Sequence, residues 1–139
     1  MNILIIDGQG GGMGKQLVEA VKANCRNIVI TAIGTNSTAT SAMLKAGADY
    51  VATGENAVIV ASRTADIIVG PVGIVVADSL LGEISPAMAV AVGQSGAKKI
   101  LIPVNLCNNI IVGVSDLSMA KLLDCVVDQI KKISDQVFI

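Results

Sequence analysis

Five of the seven residues from Gly8 to Gly14 are glycine, in the stretch Asp7-Gly8-Gln9-Gly10-Gly11-Gly12-Met13-Gly14-Lys15. Ordering so many glycines is entropically costly. The chemistry that uses such a loop is anion binding. Without side chains the backbone approaches a phosphate closely, and the free N–H groups and dipole of a following helix point at it. Gly8, Gln9, Gly10, Gly11, Gly12, Met13 and Gly14 are therefore the candidate cofactor-binding residues. The alternative is a purely architectural turn that lets a helix pack closely on a sheet.

Spacing narrows the choice of cofactor. The dinucleotide pattern G-x-G-x-x-G fails, because counting from Gly8 its last position is Met13. The variant G-x-x-x-G-x-G fits at Gly8, Gly12 and Gly14 and resembles the cofactor loop of short-chain dehydrogenases. Gly11-Gly12-Met13-Gly14-Lys15 also resembles a deviant P-loop, but Gln16 stands where a magnesium-binding hydroxyl belongs. Asp7 puts a carboxylate beside the proposed anion. It reads first as an acceptor for the loop's own N–H groups, with a magnesium ligand as the alternative. No metal site is expected otherwise.

NAD sites usually place an acid at the end of the second strand to hold ribose hydroxyls. Here that region is Ile33-Gly34-Thr35-Asn36-Ser37-Thr38, with no acid. Thr35 and Asn36 join the candidate binding residues as donors to a 2′-phosphate, which leans the NAD(P) reading towards NADP. Ser37 or Thr38 is expected to cap the helix that follows.

Catalytic groups are scarce. There is no histidine or tryptophan, which removes Ser-His-Asp triads, Cys-His pairs and His-ligated metals. Tyr50 is the only tyrosine and Gly54 sits where Tyr-x-x-x-Lys needs its lysine, excluding the short-chain dehydrogenase mechanism. Glu55, Asp78, Glu83 and Cys107 remain as ionisable groups for a cleft, with Asp78 and Glu83 a possible general acid/base pair or a solvated face. Cys107 has no basic neighbour to activate it. Lys15 could touch a phosphate or simply be solvated.

The elements that must position these groups follow from apolar patterning. Continuous apolar runs at Ile3–Ile6, Ile28–Ile33, Tyr50–Ala52, Ile67–Val69 and Ile100–Ile102 read as parallel strands covered on both faces. Helical spacing falls between them, over residues 13–24, 37–46, 57–65 and from Ser85-Pro86 to Gly93 or Gly96. A last helix, capped by Asp116, carries the stripe Leu123, Val126, Val127, Ile130 and Ile133. Residues 1–139 are thus expected to form a single α/β Rossmann-like domain, doubly wound with helices on both faces. Five parallel strands in order 3-2-1-4-5 are predicted, plus an antiparallel edge strand over Ile110–Val114.

Composition sets the rest. Of 139 residues 53% are hydrophobic and 15% charged, with a formal net charge of -1. A near-neutral chain with one tyrosine and one phenylalanine is no nucleic-acid binder. No apolar run is long enough to span a membrane. Three unpaired-looking cysteines and no basic leader suggest a cytoplasmic setting. So weakly charged a surface predicts a homo-oligomer.

Two motifs together resemble a known family. Ile6-Asp7-Gly8-Gln9-Gly10-Gly11-Gly12 combined with Val69-Gly70-Pro71-Val72-Gly73-Ile74 and Ala77-Asp78-Ser79-Leu80-Leu81-Gly82-Glu83-Ile84 is similar to the bacterial domain of unknown function DUF3842, from Met1 to about Val114. The resemblance implies a small bacterial cytoplasmic protein and no particular activity. Three readings stand: a protein that binds a small phosphate-containing ligand, most simply NAD(P), through Gly8 to Gly14, with no reaction assigned; a non-catalytic ligand sensor or partner-binding subunit; and an oligomeric protein whose loop glycines are purely architectural.

Overall fold

A computed structural model describes residues 1–137 apart from Asn105 and Cys107. Five parallel strands form one sheet in the order β3-β2-β1-β4-β5. They are β1 (Asn2–Asp7), β2 (Val29–Gly34), β3 (Tyr50–Thr53), β4 (Ile67–Pro71) and β5 (Lys98–Ile102). The helices between and after them are α1 (Gly12–Asn24), α2 (Ser37–Lys45), α3 (Glu55–Ser62), α4 (Pro86–Gln94) and α5 (Met119–Val137).

The continuous apolar runs have the expected cause. In β1, Ile3 and Ile5 pack with Leu17, Val18 and Val21 of α1, Met43 of α2, and Val126 and Ile130 of α5. Leu4 and Ile6 point the other way, onto Val58 of α3 and Met88 and Val92 of α4. Two apolar layers thus sandwich the sheet, and strand alternation becomes invisible in the sequence. Ser85 Oγ accepts the Met88 N–H and Pro86 opens α4, as read from the sequence. Gly47, at φ +110°, lies just beyond α2.

Four local expectations are corrected. Residues 110–114 form no strand; Ile110 and Val112 are 90% and 94% exposed, and Gly113 is a turn at φ +85°. An apolar stretch makes a stable strand only where something covers its faces, and nothing among the described residues covers this one. The cap of α5 is Ser118, whose Oγ accepts the Lys121 N–H, and not Asp116. Asn36, rather than Ser37 or Thr38, caps α2 through Oδ1 to the Ala39 N–H at 2.9 Å. Helix α3 begins at Glu55 and stops at Ser62, two and three residues before the expected bounds.

Candidate functional site

The sheet order reverses at β1, flanked by β2 and β4, so its carboxyl end is the crevice where doubly wound sheets hold ligands. Asp7 ends β1 there and the glycine loop follows. Asp7 is 6% exposed, and its two carboxylate oxygens accept the N–H groups of Gly8 at 2.8 Å and Gly14 at 2.7 Å. This is the acceptor role expected from the sequence. Burial raises the Asp7 pKa above the usual carboxylate value, against the opposing pull of the two N–H bonds; the charge of Glu83 adds to the rise.

The loop glycines divide into two kinds. A methyl at Gly11 would lie 2.7 Å from Ala39 Cα, at a backbone φ of +75°. At Gly14 it would lie 2.6 Å from Met43 Sδ and 2.8 Å from Asp7 Cβ, and at Gly8 2.7 Å from Thr35 Oγ1. These three are required by the fold. At Gly10 and Gly12 an added Cβ would meet nothing within 4 Å, and neither has a positive φ. Neither packing nor backbone geometry demands glycine at those two positions.

The N–H groups follow the same division. Those of Gly8 and Gly14 bind Asp7, that of Gly11 bonds the Gly8 carbonyl at 3.0 Å, and that of Gln9 bonds Glu83. Those of Gly10, Gly12 and Met13 have no acceptor among the described residues. They border a cavity of about 270 Å³ lined by Asp7, the loop from Gly8 to Met13, Val104 and Met119.

Thr35 and Asn36 stand at the end of β2 beside the loop, as expected, but they are not free donors. Glu83 Oε1 accepts from Thr35 Oγ1 at 2.7 Å and from Asn36 Nδ2 at 2.6 Å, and the Gln9 N–H reaches both Glu83 oxygens at 3.1 and 3.2 Å. Asn36 Nδ2 also bonds the Gln9 carbonyl at 2.9 Å. The acid that the β2 sequence lacks is thus supplied from the segment after β4. The premise that pointed to a 2′-phosphate on Thr35 and Asn36 no longer holds. Partial burial pushes the Glu83 pKa up, but the bonds from Thr35, Asn36 and Gln9 outweigh it and leave the carboxyl below its ordinary value.

Delivery of Glu83 involves unusual backbone. After a turn of 3-10 helix at Val72–Val75, Asp78, Leu80 and Leu81 adopt φ of +65°, +55° and +55°. Each such non-glycine residue costs on the order of 1 kcal/mol, and strain of this kind gathers at functional sites. Buried Ser79, donating to the Gly73 carbonyl, and buried Leu80 pin the segment to the core. Asp78 is exposed and shares no hydrogen bond with Glu83, whose partners are Gln9, Thr35 and Asn36. Glu55 lies on the first turn of α3. Cys107 lies outside the described residues. No group of three or more metal-ligating side chains occurs among the described residues.

The fold and site define a doubly wound parallel α/β protein with a glycine loop and a carboxylate clasp at its switch point. The chain belongs to the family of the domain of unknown function DUF3842, whose model matches residues 2–135 and so includes most of α5. No curated protein matches the sequence. Among solved structures, the chain is similar to a dodecameric FMN-dependent UbiX-like decarboxylase from Escherichia coli, at 15% identity and a TM-score of 0.41 over 100% of this chain and 95% of that one. A likeness that slight carries neither ligand nor activity across. No helix among the described residues is long and apolar enough to cross a membrane.

Proposed function

We propose that this protein binds a phosphate-bearing nucleotide cofactor of the NAD(P) kind over the glycine loop 8–14. One observation carries the reading: Gly10 and Gly12 are glycines that the fold does not need, each beside N–H groups without an acceptor. Space kept clear over unpaired donors suits an anion seated against the backbone. Glu83 fits the same ligand, since Oε2 accepts only from Gln9 and keeps lone pairs for a sugar hydroxyl. Both acids at the site are committed to holding the loop, which supports binding or sensing and assigns no reaction.

The test is native mass spectrometry of the purified protein with NAD, NADP, ATP and FMN, alongside Gly12→Val. Binding of one of the four, weakened at least about tenfold by Gly12→Val with an unchanged circular dichroism spectrum, is the expected result, since the valine side chain would fill the open space over the loop and tenfold is only about 1.4 kcal/mol. Equal binding by the variant, or no binding of any of the four, would refute the reading.

We further propose that the setting is cytoplasmic and that the chain self-associates. Leu81, Ile110 and Val112 are each at least 90% exposed, apolar surface that association could cover. Sedimentation equilibrium at micromolar concentration should give a mass that is a multiple of 14.1 kDa; a monomer throughout would exclude it.

A further inference from the structure

A second depression lies on the other side of Gly10, between the start of α1 and the outer stripe of α2. It has a volume of about 450 Å³ and is lined by Gly10, Lys15, Ser37, Thr38, Ser41, Ala42 and Lys45. Two lysines, three hydroxyls and no carboxylate make it the opposite of the Glu83 clasp. Neither lysine has an ion-pair partner among the described residues, whereas Lys22 is bonded to Asp49 at 2.6 Å. The Ser37 and Thr38 N–H groups open α2 and have no acceptor among the described residues, because the Asn36 cap serves Ala39 instead. Ser37 and Lys45 are eight residues apart on one helix, so the groove runs about 12 Å along it.

We propose that this groove binds a phosphate group of the ligand, separate from the one seated on the glycine loop. The inference rests on the reading of the loop as a ligand site and extends it. Gly10 lines both cavities, and a Cβ added there would meet nothing within 4 Å. The ligand lies across that crest, with one phosphate on the loop N–H groups and another among Lys15, Lys45 and the α2 hydroxyls. The separation of charge is chemically consistent: a sugar hydroxyl can donate to Glu83, an anion matches the lysines, and an anion beside the Glu83 carboxylate would be repelled. A phosphorylated nucleotide with phosphates at two positions has this pattern, and a nucleotide with a single phosphate does not.

Inorganic phosphate tests the groove without knowledge of the ligand. The probe is titrated into ¹⁵N-labelled full-length protein, into Gly12→Val, and into Lys15→Gln/Lys45→Gln, with amide shifts read by residue. The expected result is saturable movement of the Ser37, Thr38 and Ser41 amides. It should persist in Gly12→Val and weaken at least about tenfold in the double lysine variant. Movement confined to Gly10, Gly12 and Met13 would leave the loop reading intact and overturn the groove. Movement at α2 without any at the loop would keep the groove and overturn the loop reading. No saturable movement at α2, or movement unaffected by losing both lysines, would overturn the groove.

Discussion

Gly11→Ala should destabilise the protein by about 3 kcal/mol, while the neighbouring Gly12→Ala leaves it as stable as the wild type or slightly more so. The two residues are chemically identical and adjacent, so only structure separates them. At Gly11 the methyl would sit 2.7 Å from Ala39 Cα and 3.0 Å from the Ala39 carbonyl, both backbone atoms of a buried helix turn. The backbone φ of +75° adds the left-handed penalty of about 1–2 kcal/mol. Overpacking against atoms that cannot rotate away adds a further 1–3 kcal/mol. Gly12 opens α1 with nothing within 4 Å of its missing side chain, so alanine there trades a poor helix former for the best one, a gain of up to about 1 kcal/mol. Thermal melts of the two variants check this directly. A chain of this size moves by about 3–5 °C per kcal/mol, so Gly11→Ala should melt about 10 °C low. Equal melting temperatures for the two variants would mean that the loop does not divide as described. A Gly12→Ala variant that is stable yet loses its nucleotide would show that this glycine serves the ligand alone.

Much of the fold was legible because burial on both faces leaves a mark on each strand separately. Ile3 to Ile6 is apolar throughout because α1 covers Ile3 and Ile5 while α3 and α4 cover Leu4 and Ile6. The same logic misfired at Ile110–Val114, where local composition cannot report whether anything covers the chain. The start of β5 was illegible for the opposite reason: Lys98 and Lys99 begin an edge strand whose partner is β4 alone. The glycine loop was legible as a loop, but its sorting was not. What distinguishes Gly11 from Gly12 is the approach of Ala39 and Ala42 from α2, which no local pattern carries. Glu83 was hardest to place. It lies 74 residues from Gln9 in sequence, and it arrives through left-handed backbone at Asp78, Leu80 and Leu81, a conformation that leucine rarely adopts. Glu83 was legible as one of four ionisable groups for the cleft, but its partners on the loop and at the end of β2 were not.

Asp7→Ala should cost about 3 kcal/mol, because it leaves the buried N–H groups of Gly8 and Gly14 with no acceptor at about 1–3 kcal/mol each. Asp7→Asn should cost roughly half as much, since one acceptor survives while an NH₂ faces the other donor. The asparagine variant also reads the electrostatics. Burial raises the Asp7 pKa in the folded state above its ordinary 3.8, so the stability linked to its protonation is fully present below 3.8 and is lost as pH rises through the folded value. Glu83 runs the other way. Its folded pKa is lowered, so its contribution is present above the ordinary 4.5 and is lost as pH falls through the folded value. The wild type superimposes these two arms. Urea unfolding followed from acid to neutral pH should therefore show Asp7→Asn furthest below the wild type under acid conditions, with the gap narrowing as pH rises. Glu83→Gln should show the reverse, with its deficit growing from acid to neutral pH. A gap for Asp7→Asn that widened with pH would mean that the two N–H bonds outweigh burial at Asp7.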